Sequence, residues 1–269
     1  MLKRLLFATV HQLRLFLRRP AAMFFVIVMP VLLLVIFTAI FGNAEMAGQG
    51  ITTAQLYTPT LAVFGAVLAA YTYLAIATAT ARDQGVLKRL RGTPLPPWID
   101  IAGRIAAAGL IAIAAVVAVM ACGMLLYSVK LLPEKLPAAI LSLLVGISCF
   151  AALGMAVAAL CRTAATAQAV ANATILPVAF ISDVFVRPDG RILPWIDRIA
   201  DIFPLKHLSR AFSDGFKPLL AGNGFAFAGD ATTYAIGQHL LVMALWGLGG
   251  AVIAFAFFRW ETQRDGSRQ

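Results

Sequence analysis

Between residues 82 and 98 the chain carries Arg82, Asp83, Lys88, Arg89 and Arg91 around Gly85 and Gly92, followed by Thr93-Pro94-Leu95-Pro96-Pro97-Trp98. Guanidinium and ammonium groups crowded on so short a stretch bind carboxylates or carbonyls of another surface and perform no covalent chemistry by themselves. Gln84 to Leu90 reads as a short helix stopped by Gly92 and Pro94, with Val86, Leu87 and Leu90 as an apolar stripe beside Lys88, Arg89 and Arg91. Such a helix could plug into a groove on another protein or hold a basic loop against a membrane, and the residues alone leave both open.

Covalent chemistry has few candidates. Ser142, Ser148, Thr166 and Asn172 lie in apolar stretches with no His or Asp at their depth, so an intramembrane enzyme lacks a base for its nucleophile. Asp183, Asp189, Asp197 and Asp201 with His207 form the alternative cluster. His11, His207 and His239 are too scattered to suggest a metal motif. Cys122, Cys149 and Cys161 show no CxxC spacing and read as small buried hydrophobes. No GxxxxGK[ST] occurs. The apolar stretches hold no acidic residue to couple protons or ions; Arg104, Arg162 and Asp183 are expected at span ends, where side chains reach the interface.

The elements that must position these residues follow from an apolar excess. Hydrophobic residues make up 61% of the chain and charged ones 13%, too little polarity to cover a soluble domain. Crossing about 30 Å of hydrocarbon takes about 20 helical residues. Six segments meet that length, at about 21–41, 58–80, 101–127, 136–160, 164–181 and 234–258. The expected fold is an all-α integral membrane protein with six transmembrane helices in a single domain, 20–260. Pro177 should kink the fifth span or make its end re-entrant.

Orientation follows from Lys and Arg, which stay on the cytoplasmic side. With the N-terminus inside, the segments outside the spans divide so that the whole formal net charge of +10 lies on the inner face and the outer face is neutral. That asymmetry is a topology signal and no footprint of nucleic acid. Both termini are then cytoplasmic, with a tail at 261–269. Residues 1–19 form an amphipathic interfacial helix: Leu2, Leu5, Leu6, Val10, Leu13, Phe16 and Leu17 share one face, and Lys3, Arg4, His11, Arg14 and Arg18 the other. A 21-residue apolar stretch is too long for a cleaved signal sequence.

On the outer side, residues 182–217 include the amphipathic stretch Trp195 to Phe203, with Ile196, Ile199, Ala200 and Phe203 on one face and Asp197, Arg198 and Asp201 on the other. Tyr71 and Thr78 share a face of the second span, and Gln168 and Asn172 a face of the fifth; each pair could line a path or pack helix on helix. Gly154-x-x-x-Ala158, Gly247, Gly249 and Gly250 permit close helix contact.

Gly85-Val86-Leu87-Lys88-Arg89-Leu90-Arg91-Gly92-Thr93-Pro94-Leu95 resembles the conserved loop of the type-two ABC exporter permeases, which serve drugs, antibiotics and polysaccharides. Val86 stands where Thr is usual and Asp83 where Glu is common. A second stretch is also similar: Leu176-Pro177, Ile181-Ser182-Asp183-Val184-Phe185, Pro194-Trp195, Ile199-Ala200 and Phe203-Pro204-Leu205-Lys206-His207-Leu208, with Asp183 where the family usually has Gly. The resemblance implies that 82–98 is a coupling helix seated on a separate ATPase through Arg82, Asp83, Gly85, Lys88, Arg89, Arg91, Thr93 and Pro94. It implies an exit-side segment of short helices dipping back from the outer face, with Asp183, Pro194, Trp195 and Pro204. It further implies a bacterial cytoplasmic membrane exporter of two ATPase subunits, which bind the ATP and Mg, and a second permease copy or paralogue. The cargo would be a hydrophobic or amphipathic solute. This chain would bind no cofactor and catalyse nothing; an intramembrane enzyme or a non-transporting scaffold is the alternative.

Overall fold

The computed structural model describes residues 1–44, 52–92, 96–185, 194–216 and 231–258. The elements there are helical. In chain order they are α1 (Leu2–Leu17), α2 (Pro20–Phe41), α3 (Thr53–Asp83), α4 (Val86–Arg91), α5 (Pro97–Tyr127), α6 (Leu136–Leu160), α7 (Ala164–Ile181), α8 (Pro194–Ala200), α9 (Pro204–Ser213) and α10 (Ala231–Phe257). Six of them, α2, α3, α5, α6, α7 and α10, are long and apolar enough to cross a membrane. This is the expected all-α architecture of six spans.

Two spans are longer than hydropathy suggests, because polar residues at their ends are satisfied inside the protein. α3 starts at Thr53, where the Thr52 side chain accepts from the Gln55 N–H at 3.2 Å and Asn43 Oδ1 accepts from the Ala54 N–H at 3.1 Å. α5 starts at Pro97, and its Asp100 and Arg104 pair at 2.7 Å one turn apart. Arg104 is therefore buried and paired, and does not reach out to the interface as expected. α7 stays helical through Pro177 to Ile181, capped at its start by a reciprocal Thr163–Thr166 box.

α3 is the axis of the bundle, with every residue from Tyr57 to Tyr71 buried. Small residues let its neighbours close in. A Cβ at Gly65 would meet Ala115 and Pro30 at 3.3 Å, and one at Gly154 would stand 2.7 Å from the Tyr71 carbonyl oxygen. α10 lies along α6, with Gly247 against Cys149 and Gly250 against Leu153. Gly249 departs from expectation: nothing stands within 4 Å of it. Phe24–Val28 in α2 and Leu68–Tyr73 in α3 are wide π-helical turns packed against each other.

α1 has three faces where the sequence indicates two. Leu2, Leu6, Val10 and Leu17 are exposed, as a lipid-facing stripe would be, and Lys3, Arg4, His11, Arg14 and Arg18 are exposed on the basic side. Ala8, Thr9, Gln12 and Phe16 are buried between them against the bundle. Phe16 leaves the apolar stripe to meet Tyr73 edge-on at 5.0 Å, and Gln12 Nε2 donates to Asp100 Oδ1 at 3.4 Å. Gly103 makes room for Ala8, since a Cβ there would lie 2.7 Å from that of Ala8.

Helix packing through glycine is testable by overfilling it. Gly154→Val should lower stability by about 1–3 kcal/mol, because the Tyr71 backbone cannot yield to a new side chain. Gly249→Ala should leave it unchanged or slightly raised. Thermal unfolding of the purified protein in detergent, with both variants run beside the parent, checks the contrast.

Candidate coupling site

The last turn of α3 ends in the pair Arg82-Asp83. Gln84 N–H donates to the Thr80 carbonyl at 3.0 Å and Gly85 N–H to that of Arg82 at 2.9 Å. Gly85 then takes φ +68°, a left-handed conformation that L side chains adopt only under strain. This breaks α3 from α4, so the short helix begins at Val86, two residues later than its sequence indicates. Leu87 is fully buried and anchors α4, while Lys88 and Arg89 are exposed. Arg89 Nη2 donates to the Gln84 carbonyl at 3.1 Å, which braces the corner. The Arg91 side chain and Thr93 and Pro94 lie outside the described residues.

Arg82 turns inward, whereas Asp83 stays exposed and reaches along the surface to the start of α7. Arg82, 4% exposed, donates from Nη1 to the Ala158 carbonyl at 2.7 Å and from Nη2 to the Cys161 carbonyl. Those oxygens belong to the C-terminal end of α6, where carbonyls lack helical partners and the helix dipole is negative. Asp83 Oδ2 accepts from the Ala164 N–H at 2.6 Å, at the positive start of α7. Burial also raises the pKa of the Cys161 thiol, against smaller opposing effects of the Thr166 hydrogen bond and the Arg82 charge.

The opposite end of the bundle holds a second charged assembly. Lys206, fully buried on α9, meets Asp197 at 2.5 Å and Asp201 at 2.7 Å. Arg210 bridges Asp183 at 2.9 Å, Asp197 at 3.5 Å and Asp201 at 3.6 Å. Asp183 has φ +59°, so it adopts the glycine-type turn while its carboxylate holds Arg210. Pro204 is buried at the start of α9, whereas Trp195 of α8 is exposed; α8 itself begins at Pro194. Ala200 is buried but Ile199 is 42% exposed, and Phe203 lies beyond α8, stacked on Trp246. The single amphipathic stretch expected from Trp195 to Phe203 is thus divided. α9 dips into the bundle, where Gly146 makes room for Leu208, and Gln55 Nε2 donates to the Phe216 carbonyl at 2.7 Å.

Of the intramembrane polar residues, Tyr71 and Thr78 are buried and engaged within the bundle. Tyr71 OH stands 2.6 Å from Thr174 Oγ1, and Thr78 Oγ1 is 3.8 Å from Met155 Sδ. Gln168 and Asn172 are exposed on α7. His207 and His239, 32 positions apart, meet with their Nδ1 atoms at 2.7 Å. His207 Nε2 faces the Asp201 carbonyl at 2.8 Å and must carry a proton, since a carbonyl only accepts. Among the described residues no group of three His, Cys, Asp or Glu could hold a metal ion.

The family model of the ABC-2 type transporter matches residues 4–216, from α1 through the turn after α9. The chain belongs to the ABC-2 type transporter family. No curated protein matches it. Membership makes it a multi-pass permease component of an ABC transporter, a class that works with an ABC ATPase. α10 lies beyond the match to the ABC-2 type transporter, and its close packing on α6 joins it to the same bundle. The sequence carried no sign of three arrangements in this ABC-2 type transporter: the inward turn of Arg82, the burial of Lys206, and the histidine pair. Each joins groups from separate helices.

The assembly around Lys206 and Arg210 makes acid stability a readout. The hydrogen bond from Lys206, with the charges of Lys206 and Arg210, holds the Asp197 carboxyl below the usual carboxylate range despite slight burial. Because its folded-state pKa is depressed, its stabilising effect is complete above the unfolded value of about 4 and is lost as pH falls toward the folded value. Asp197→Asn should therefore flatten the loss of thermal stability below about pH 4. Parallel melting curves for parent and variant across that range would count against the assignment.

Proposed function

We propose that this chain is the membrane-spanning subunit of an ATP-driven exporter that moves a hydrophobic or amphipathic solute outward across the bacterial cytoplasmic membrane. The observation that carries this reading is α4, a short helix at the basic end, set off from α3 by left-handed Gly85, anchored by buried Leu87, and presenting Lys88 and Arg89 to solvent. An orientation signal needs only loose basic residues. A rigid, anchored helix suits a fitted groove on a partner.

In this reading the basic end and both termini face the cytoplasm, and two ATPase subunits, which hold ATP and Mg²⁺, receive α4 of this chain and of a second permease copy or paralogue. Gly85, Lys88, Arg89 and Arg91 seat the helix, and Thr93 with Pro94 sets the exit of the chain. Closure of the ATPases presses on α4 and rocks the two permeases. Gln168 and Asn172, exposed on α7 beside Ala165, Ala169 and Ala173, offer the polar and small surface that a solute path or a partner helix uses. Tyr71 and Thr78 back that path from α3. Asp183, Pro194, Trp195 and Pro204 shape the exit side.

An ABC ATPase should copurify with the tagged chain from its native membranes. In that complex, Arg89→Glu with Arg91→Glu should leave insertion intact and ATP hydrolysis running. Solute flux in reconstituted vesicles should fall at least about tenfold, the loss expected when buried charge-assisted contacts are reversed. Unaltered flux in the double variant, or full turnover with no ATPase present, would refute the reading.

A further inference from the structure

Arg82 and Asp83 stand next to each other at the end of α3, yet they hold two different helices by opposite polarity. The guanidinium takes two carbonyls, Ala158 and Cys161, at the negative end of α6; the carboxylate takes the N–H of Ala164 at the positive end of α7. Only Cys161, Arg162 and Thr163 lie between those helices. Ala79, Cys161 and Ala167 form a small buried cluster apart from the main core, with Val157 and Ala164 packed on it. The end of α3, the end of α6 and the start of α7 are thus fastened as one unit. Gly85 and α4 follow within three residues.

From this geometry we infer that Arg82 and Asp83 are positioning residues that act inside the permease: they carry movement of α4 into the α6–α7 turn and so to the face of α7 bearing Gln168 and Asn172. The inference rests on the coupling role proposed for α4. A buried guanidinium is tolerated only where its donors are satisfied, and its carbonyl partners leave it unavailable to an ATPase surface. The neighbouring carboxylate supplies a charge-assisted bond to a backbone group that no side-chain change elsewhere can replace. Displacing α4 at its glycine corner pulls on both bonds together, because two adjacent residues of one helical turn cannot move independently.

Ala164 offers a direct test. It is the first residue of α7, preceded by Thr163 in an extended conformation, and a proline there suits both residues while removing the one N–H that Asp83 accepts. The assay uses the permease purified with its ATPase. A cysteine introduced at Gln168 is labelled with a water-soluble maleimide, with and without ATP and vanadate. A cross-link between a cysteine at Lys88 and the ATPase reports α4 seating. In the parent, nucleotide trapping should change labelling at 168. Asp83→Ala and Ala164→Pro should each reduce that change by roughly tenfold, the weight of one charge-assisted hydrogen bond. Combined, they should do no more than either alone, with the α4 cross-link and the unfolding temperature of Ala164→Pro preserved. Asp83→Asn, which keeps an acceptor, should restore part of the response. A silent Ala164→Pro, or additive effects of the two changes, would overturn the inference while leaving α4 coupling in place. Absence of the α4 cross-link in the parent would overturn the coupling reading itself, and the inference with it.

Discussion

A helix that ends at the edge of a bilayer leaves several carbonyls or N–H groups without helical partners, and lipid offers none. Much of the polar architecture of this protein answers that constraint. Arg82 and Asp83 close the ends of α6 and α7, Thr52 and Asn43 close the start of α3, and the Thr163–Thr166 box closes the start of α7 from its own chain. Arg82, Asp100 and Arg104 therefore lie near the ends of their spans, the first two bonded to neighbouring helices and Arg104 to Asp100 one turn away on its own helix. Those same bonds make the turns stiff.

Stiff turns need a backbone core that does not give way, and α3 provides it. Its long buried stretch is flanked by glycines and alanines that bring α2, α5 and α6 close enough for backbone contact. Close contact maximises dispersion between helices where lipid supplies no hydrophobic contrast. The paired π-helical turns of α2 and α3 interrupt this regularity at one level, where the ladder is wider and the two helices meet.

The two ends of the bundle differ in how they hold charge. At the basic end, Asp100 with Arg104 and Arg82 with its carbonyls are closed, and Lys88 and Arg89 stay exposed on α4. At the other end, Lys206 and Arg210 draw Asp183, Asp197 and Asp201 together and pin α8 and α9 to the end of α7. Asp183 serves twice there, as a left-handed turn residue and as an ion-pair partner.

Six spans, their order, the basic asymmetry, and a separate short helix after α3 were legible in the residues, although the break from α3 falls at Gly85, inside the helix that the sequence indicates. Each legible feature depends on local properties: a run of apolar side chains as long as the bilayer is thick, or a glycine and proline that stop a short helical pattern. Span ends were less legible, because Arg104 reads as an interfacial charge and Arg82 as part of a surface loop until Asp100 is seen pairing with the one and the carbonyls at the end of α6 with the other. The third face of α1 was hidden because Ala8, Thr9 and Gln12 carry no strong hydrophobic signal; Ala8 and Thr9 close on the space left by Gly103, and Gln12 meets Asp100. Lys206 with its aspartates, His207 with His239, and Asp83 with Ala164 were decided by tertiary structure alone. Periodicity describes one helix at a time, and a bond between two helices depends on their packing distance and rotation, which no single stretch of sequence encodes.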